Sequence, residues 1–121
     1  MLFGRWTSVG LIIASCAGSG EAVAENARKL SGMASYYGAN YSGPTARGER
    51  YDPNKFTAAH RTLPFGTRVR VTDARSQRTV VVVVNDRGPF IKGRVLDLSL
   101  AAAKALRMTD RGLVKVTAIV E

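Results

Sequence analysis

Apolar and polar residues along this chain fall into short runs divided by turn formers, not into long amphipathic faces. Arg68 to Thr72 (RVRVT) alternates strictly, as a strand with one buried face should. Asp73 to Arg78 supply a turn, and Thr79 to Val84 return as TVVVVV, so a hairpin is predicted. The five consecutive valines do not alternate, and this strand is expected to be covered on both faces. It stops abruptly at Asn85-Asp86-Arg87-Gly88-Pro89, all turn residues.

The remaining pattern is similar in scale. Gly32 to Gly38 (GMASYYG) reads as a first strand closed by glycine. A loop with Gly43-Pro44 and Gly48 as breakers follows, then the compact, mixed stretch FTAAHRTLPFGT. Arg94 to Leu98 forms another short strand, and Ser99 is placed to cap an alanine-rich helix, LAAAKALRM. LVKVTAIV ends the chain as a last strand. About six short strands and one helix predict a mainly β fold, a small closed barrel, since closure removes the edges such valine-rich strands would expose.

Residues 1–24 stand apart as an export leader. MLFGRW carries Arg5, and VGLIIAS is apolar but too short to span a bilayer. Two cleavage positions are open. IASC fits a lipobox in which Cys16 is lipidated, and AVA fits a signal-peptidase site after Ala24. Residues 25–31 then read as a polar tether and 32–121 as one domain. Either exit places the protein in the cell envelope, lipid-anchored facing the periplasm or soluble there. Cys16 is the only cysteine, so the mature domain has no disulfide, thiolate metal site or thiol nucleophile.

A formal net charge of +9 points to an anionic polymer or surface. Outside the cytoplasm that favours a cell-wall glycan bearing carboxylates, or an acidic membrane face, over nucleic acid. A monomer is expected.

Several chemistries lack their residues. His60 is the only histidine, no ligand pair has metal spacing, and neither a G-x-S-x-G elbow nor a phosphate loop occurs. No metal or cofactor is expected. What remains is a set of acids. Asp86 follows the valine strand at once, and Asp97 lies eleven residues on, among Val95, Leu96 and Leu98. Glu49 and Asp52 share the GERYD loop, and His60 follows. A carboxyl held against apolar walls loses solvation of its charged form, which favours the protonated acid that glycosidic cleavage requires. On the residues alone simpler roles come first: Asp86 as a turn former, Asp97 beside a helix N-terminus, His60 as a satisfied structural group, and Glu49 and Asp52 as solvated loop acids. Tyr36, Tyr37 and Tyr41 could stack on sugar rings or fill the core.

At these residues a resemblance emerges. GMASYYG, PTARGERYD, FTAAHRTLPFGTRVRVT, VVVVNDRGPFIKGRVLDLS and AAAKAL, in this order, resemble the rare lipoprotein A (RlpA) family over residues 32–121. The resemblance implies a six-stranded double-psi β-barrel of the barwin and expansin type. It implies lytic transglycosylation of peptidoglycan, preferably of peptide-free strands. The bond cut joins N-acetylmuramic acid to N-acetylglucosamine, and the muramic C6 hydroxyl attacks its own C1 to leave a 1,6-anhydro end. Carried over by position, Asp86, Asp97, His60 and Glu49 are the implied catalytic set, with Asp97 matching the acid/base of related barrels. Which aspartate moves the proton stays open. Tyr37, Asp52 and Arg87 are the implied substrate contacts.

The chain also departs from the family pattern. Tyrosine stands in ASYYG where many relatives carry tryptophan, and Arg47 stands where many have a small polar residue. The chain ends at Glu121, where many relatives continue into a SPOR domain that binds denuded septal glycan. No SPOR domain is expected here, so septal targeting does not follow from the resemblance. The competing implication is a non-catalytic, expansin-like protein that binds or loosens the wall through the same cleft.

Overall fold

The computed structural model describes residues 29–121. The expected leader with its two cleavage positions, Cys16 and residues 25–28 of the expected tether lie outside the described residues. The elements are β1 (Lys29–Tyr36), β2 (Thr57–Ala59), β3 (Arg68–Asp73), β4 (Thr79–Asp86), β5 (Arg94–Leu98), α1 (Leu100–Ala105) and β6 (Val114–Val120). The strands close into a barrel in the order β1-β5-β2-β4-β3-β6. Pairs β1–β5 and β2–β4 are parallel, and the other four are antiparallel. This is the closed, mainly β barrel with one short helix that the pattern predicts.

Two boundaries move for non-local reasons. Lys29, Leu30 and Ser31, read as tether, belong to β1 because Ile119, Ala118 and Thr117 of β6 pair with them. β2 is only three residues long, too short for periodicity to announce, and lies between β5 and β4.

The valine run corrects a third expectation. Val80, Val82 and Val84 point into the barrel, whereas Val81 and Val83 are only half-buried outside. β4 therefore keeps the two-residue alternation of any strand, and the outward valines serve β-propensity more than a second core. Val69, Val71, Leu96, Leu98, Val116 and Ala118 fill the remaining interior.

Ser99 caps α1 as expected, its Oγ accepting from Ala102 N at 3.3 Å. The same Oγ accepts from Thr57 N at 3.2 Å, which ties the helix start to β2. The helix is shorter than the LAAAKALRM pattern suggests. Arg107 turns left-handed with φ 54, Met108 N donates to Ala103 O, and Arg107 N donates to Lys104 O. That is a Schellman closure, and it folds Met108 back into the core at 0% exposure.

Candidate active site

Strand pairing brings the two central acids onto one outer face. Ser35 of β1 pairs with Asp97 of β5, Asp97 pairs with Ala59 of β2, and Ala59 pairs with Asp86 of β4. Residues at one level of neighbouring strands share a face, so Ser35, Asp97, Ala59 and Asp86 form a transverse row. Ala59 is the low floor between the acids. Two strand spacings, about 10 Å, separate the Cα atoms of Asp86 and Asp97.

Asp86 reaches this face through an irregularity. Ala58 pairs with Val84 and Ala59 with Asp86, so Asn85 is an extra residue, a β-bulge. Were Asn85 paired in plain alternation after the inward Val84, it would face outward itself and Asp86 would turn into the core. Asn85 is buried, and its Nδ2 donates to Glu49 Oε1 at 3.1 Å. Its carbonyl accepts from Arg47 N at 3.2 Å. The 45–50 loop is thus docked on the bulge, and Glu49 reads as its clasp.

The two aspartates are held differently. Asp86 Oδ1 accepts from Ala46 N and from its own Arg87 N, both at 2.8 Å, and Oδ2 accepts from Tyr37 Oη at 2.6 Å. Asp97 Oδ1 accepts from Ser35 Oγ. Its Oδ2 takes no hydrogen bond among the described residues. Asp86 is fully engaged, and Asp97 keeps an oxygen for a ligand.

Tyr37 bonds Asp86 and feels the charge of both acids. Burial, the bond to Asp86, and the charges of Asp86 and Asp97 push its hydroxyl well above the usual phenol range, so it stays a donor. Its ring stacks on Tyr51 at 4.3 Å between centroids, with Tyr41 tilted at 5.5 Å. Tyr51 Oη accepts from Leu100 N at 3.0 Å, and Tyr41 Oη donates to Pro44 O at 2.7 Å. The tyrosines pack chiefly on one another, and Tyr36 donates to Thr109 O, away from the row.

His60 continues β2, and its N–H donates to Asp86 O at 3.2 Å. Its Nδ1 accepts from Thr62 N and Leu63 N, each at 3.1 Å. Burial first, then the charges of Arg61 and Arg87, hold the imidazole below its ordinary pKa. The neutral ring therefore shapes the 60–63 turn. Arg87 completes that turn, donating to Leu63 O at 2.8 Å and His60 O at 3.2 Å, with its guanidinium 4.0 Å above the Phe65 ring. Asp52 accepts from Asn54 N at 2.9 Å and stabilises a local turn.

Sequence reasoning missed Ser35, Asn85, Ala46 and Tyr51. Ser35 and Ala46 gain their roles through partners 62 and 40 residues away, which no local signal reveals. Asn85 left a trace, since one residue intervenes between a valine run of fixed alternation and Asp86. Among the described residues no cluster of three His, Cys, Asp or Glu stands ready for a metal ion, and no helix is long and apolar enough to cross a membrane. The row can present one carboxyl with a free oxygen beside a second, rigidly oriented one. That suits proton transfer next to a developing positive charge.

Comparisons with known proteins agree with this fold. Residues 29–118 match the family model described as lytic transglycolase. The chain is 58% identical over 88 residues to the probable endolytic peptidoglycan transglycosylase RlpA of Nostoc sp., which covers 70% of this chain and 24% of that protein. It is 50% identical over 91 residues to endolytic peptidoglycan transglycosylase RlpA of Pseudomonas aeruginosa, covering 74% of this chain and 27% of that one. The chain thus spans about a quarter of these relatives' length. Among solved structures, the Streptomyces papain inhibitor superposes with a TM-score of 0.62 at 29% identity, over 77% of this chain and 94% of that one. An expansin from Clavibacter michiganensis superposes with a TM-score of 0.60 at 22% identity, over 77% of this chain and 50% of that one.

Proposed function

Because this chain belongs to the lytic transglycolase family, whose model spans its residues 29–118, we propose that it cuts peptidoglycan glycan strands by lytic transglycosylation. The bond is the β-1,4 link from N-acetylmuramic acid to N-acetylglucosamine, preferably in peptide-free strands. The relatives' names add that the cut is endolytic.

Asp97 is the acid/base in this reading. Its carboxyl protonates the glycosidic oxygen as the C1–O bond breaks. The muramic C6 hydroxyl then closes on C1 and returns its proton to Asp97, so no water is consumed. Positive charge grows at C1 meanwhile, and the Asp86 carboxylate, held by Tyr37, Ala46 and Arg87, is the nearby negative group that stabilises it. The single observation that carries the assignment is the contrast in engagement: Asp97 has one partner and Asp86 three.

Glu49, His60 and Arg87 hold the loops that frame the row. The charge of +9 favours residence at an anionic wall, and an export leader with lipid attachment at Cys16, or cleavage after Ala24, completes the proposal for the cell envelope.

The test is to incubate the full chain with peptide-free glycan strands and analyse products by mass spectrometry. New 1,6-anhydromuramyl ends are the expected result. Strands that sediment with the protein but stay intact would favour the non-catalytic, wall-binding reading instead.

A further inference from the structure

One side chain stands out beside the row. Phe90 is 78% exposed, more than any other large apolar residue among those described. Aromatic surface left in water costs free energy that contact with the apolar face of a ligand would recover.

Phe90 sits on a constrained turn. The 87–93 segment joins the end of β4, which carries Asp86, to the start of β5, which carries Asp97. Because β2 lies between those strands, the segment must cross the end of β2, one strand from each acid. Arg61 Nη1 donates to Arg94 O at 3.3 Å and to Pro89 O at 3.5 Å, bridging both sides of the tip. Arg94 N donates to Ile91 O at 3.1 Å, and Gly93 O accepts from Met33 N at 2.9 Å. Near the ring, a Cβ on Gly88 would lie 3.6 Å from Phe90 Cε2, so the ring leans on the turn with most of its surface open.

The tyrosines offer less open ring surface than Phe90, Tyr41 being 40% exposed. Tyr37 is stacked on Tyr51, and the hydroxyls of all three clustered tyrosines are bonded within the protein. The row itself offers mainly polar groups, which suit sugar hydroxyls. A pyranose also has an apolar C–H face, which an open aromatic ring covers.

We propose that Phe90 is a stacking platform for a pyranose ring of the glycan strand that lies across Asp86 and Asp97. This rests on the glycan-cleaving function proposed above. Ile91, 55% exposed beside it, extends the apolar surface. Lys92 and Arg94 flank the tip and attract carboxylates of the same polymer.

The experiment compares the full-length wild type with Phe90→Ala and Phe90→Trp in sedimentation with peptide-free glycan strands and in product formation. Phe90→Ala is expected to weaken strand binding about tenfold and raise KM alike, with kcat near wild type, and Phe90→Trp to restore both. Its melting temperature should not move, because the ring packs on so little. Unchanged binding and KM in Phe90→Ala would overturn the proposal. So would normal glycan binding with lost sedimentation onto anionic phosphatidylglycerol vesicles, which would make the tip a membrane contact. If wild type binds strands without releasing anhydro ends, the catalytic reading fails, while the binding comparison still decides the role of Phe90.

Discussion

Asp73 and Asp86 each end a valine-rich strand of the same hairpin, and each is followed within two residues by an arginine. Their surroundings nevertheless differ. Asp73 is fully buried at the far end of the barrel and pairs with Arg111. Burial alone would push its carboxyl up, but Arg111 and the N–H groups of Arg75 and Ser76 hold it below its usual pKa. Asp86 is half-buried and receives a phenol and two backbone N–H groups but no cation. Its neighbour Arg87 turns away to the carbonyls of His60 and Leu63. An acid neutralised by an arginine distant in sequence is part of the scaffold, whereas one oriented by dipoles alone keeps its charge uncompensated on the outer face.

Asp97 extends the contrast, since it has neither cation nor cage. Asp97→Asn should give the largest effect, a fall of about a thousandfold in anhydro-product formation, with the melting temperature near wild type. Undiminished product in this variant would return the proton to Asp86. Arg111→Ala tests the other pole. Leaving Asp73 buried without its cation should cost about 3 kcal/mol in denaturant titration, with turnover unchanged at temperatures where the variant is folded.

Tyr37→Phe probes the middle ground. Losing its hydrogen bond to Asp86 should cost about 1 kcal/mol and reduce turnover less than Asp97→Asn does. In a double-mutant cycle it should be non-additive with Asp86→Asn, because both remove one contact. Additive losses would show that Tyr37 acts elsewhere.

The smallest effect concerns His60. Its folded pKa lies below the unfolded value, so the unfolded chain binds the extra proton more readily. The stability that neutral His60 contributes is full above the unfolded value and is lost as pH falls through the folded one. Protonating Nδ1 would also cost the bonds from Thr62 and Leu63. Denaturation midpoints should therefore drop on acidification from neutral pH, and His60→Gln should flatten that slope.

The barrel was largely legible in the sequence. Alternation in RVRVT, the valine return, Ser99 before the alanines and LVKVTAIV each mark an element whose partners are near in sequence or whose cap is local. β2 was not legible, because its order comes from β4 and β5 on either side. In the candidate site, Asp86 and Asp97 stood out by position among apolar neighbours, but their inequality did not. It depends on Ser35, Ala46 and Tyr37, brought in by distant pairing and loop docking. Asp52 and His60, open in the sequence to a local or a cleft role, accept from backbone N–H groups two or three residues on, whereas the partner of Glu49 is Asn85, 36 residues away, which no local signal reveals.

The bulge at Asn85 carries a consequence for how this molecule can vary. It is a change of parity: the strand counts inward and outward faithfully through its valines, then skips one beat before Asp86. Deleting that single residue would leave Val84 facing in and Asp86 facing out, still opposite Ala59, because plain alternation then gives the same register. What would be lost is the seat of the 45–50 loop, which rests on the Asn85 amide and carbonyl. The extra residue is therefore a socket for a loop, and the carboxylate beyond it keeps its side by either count.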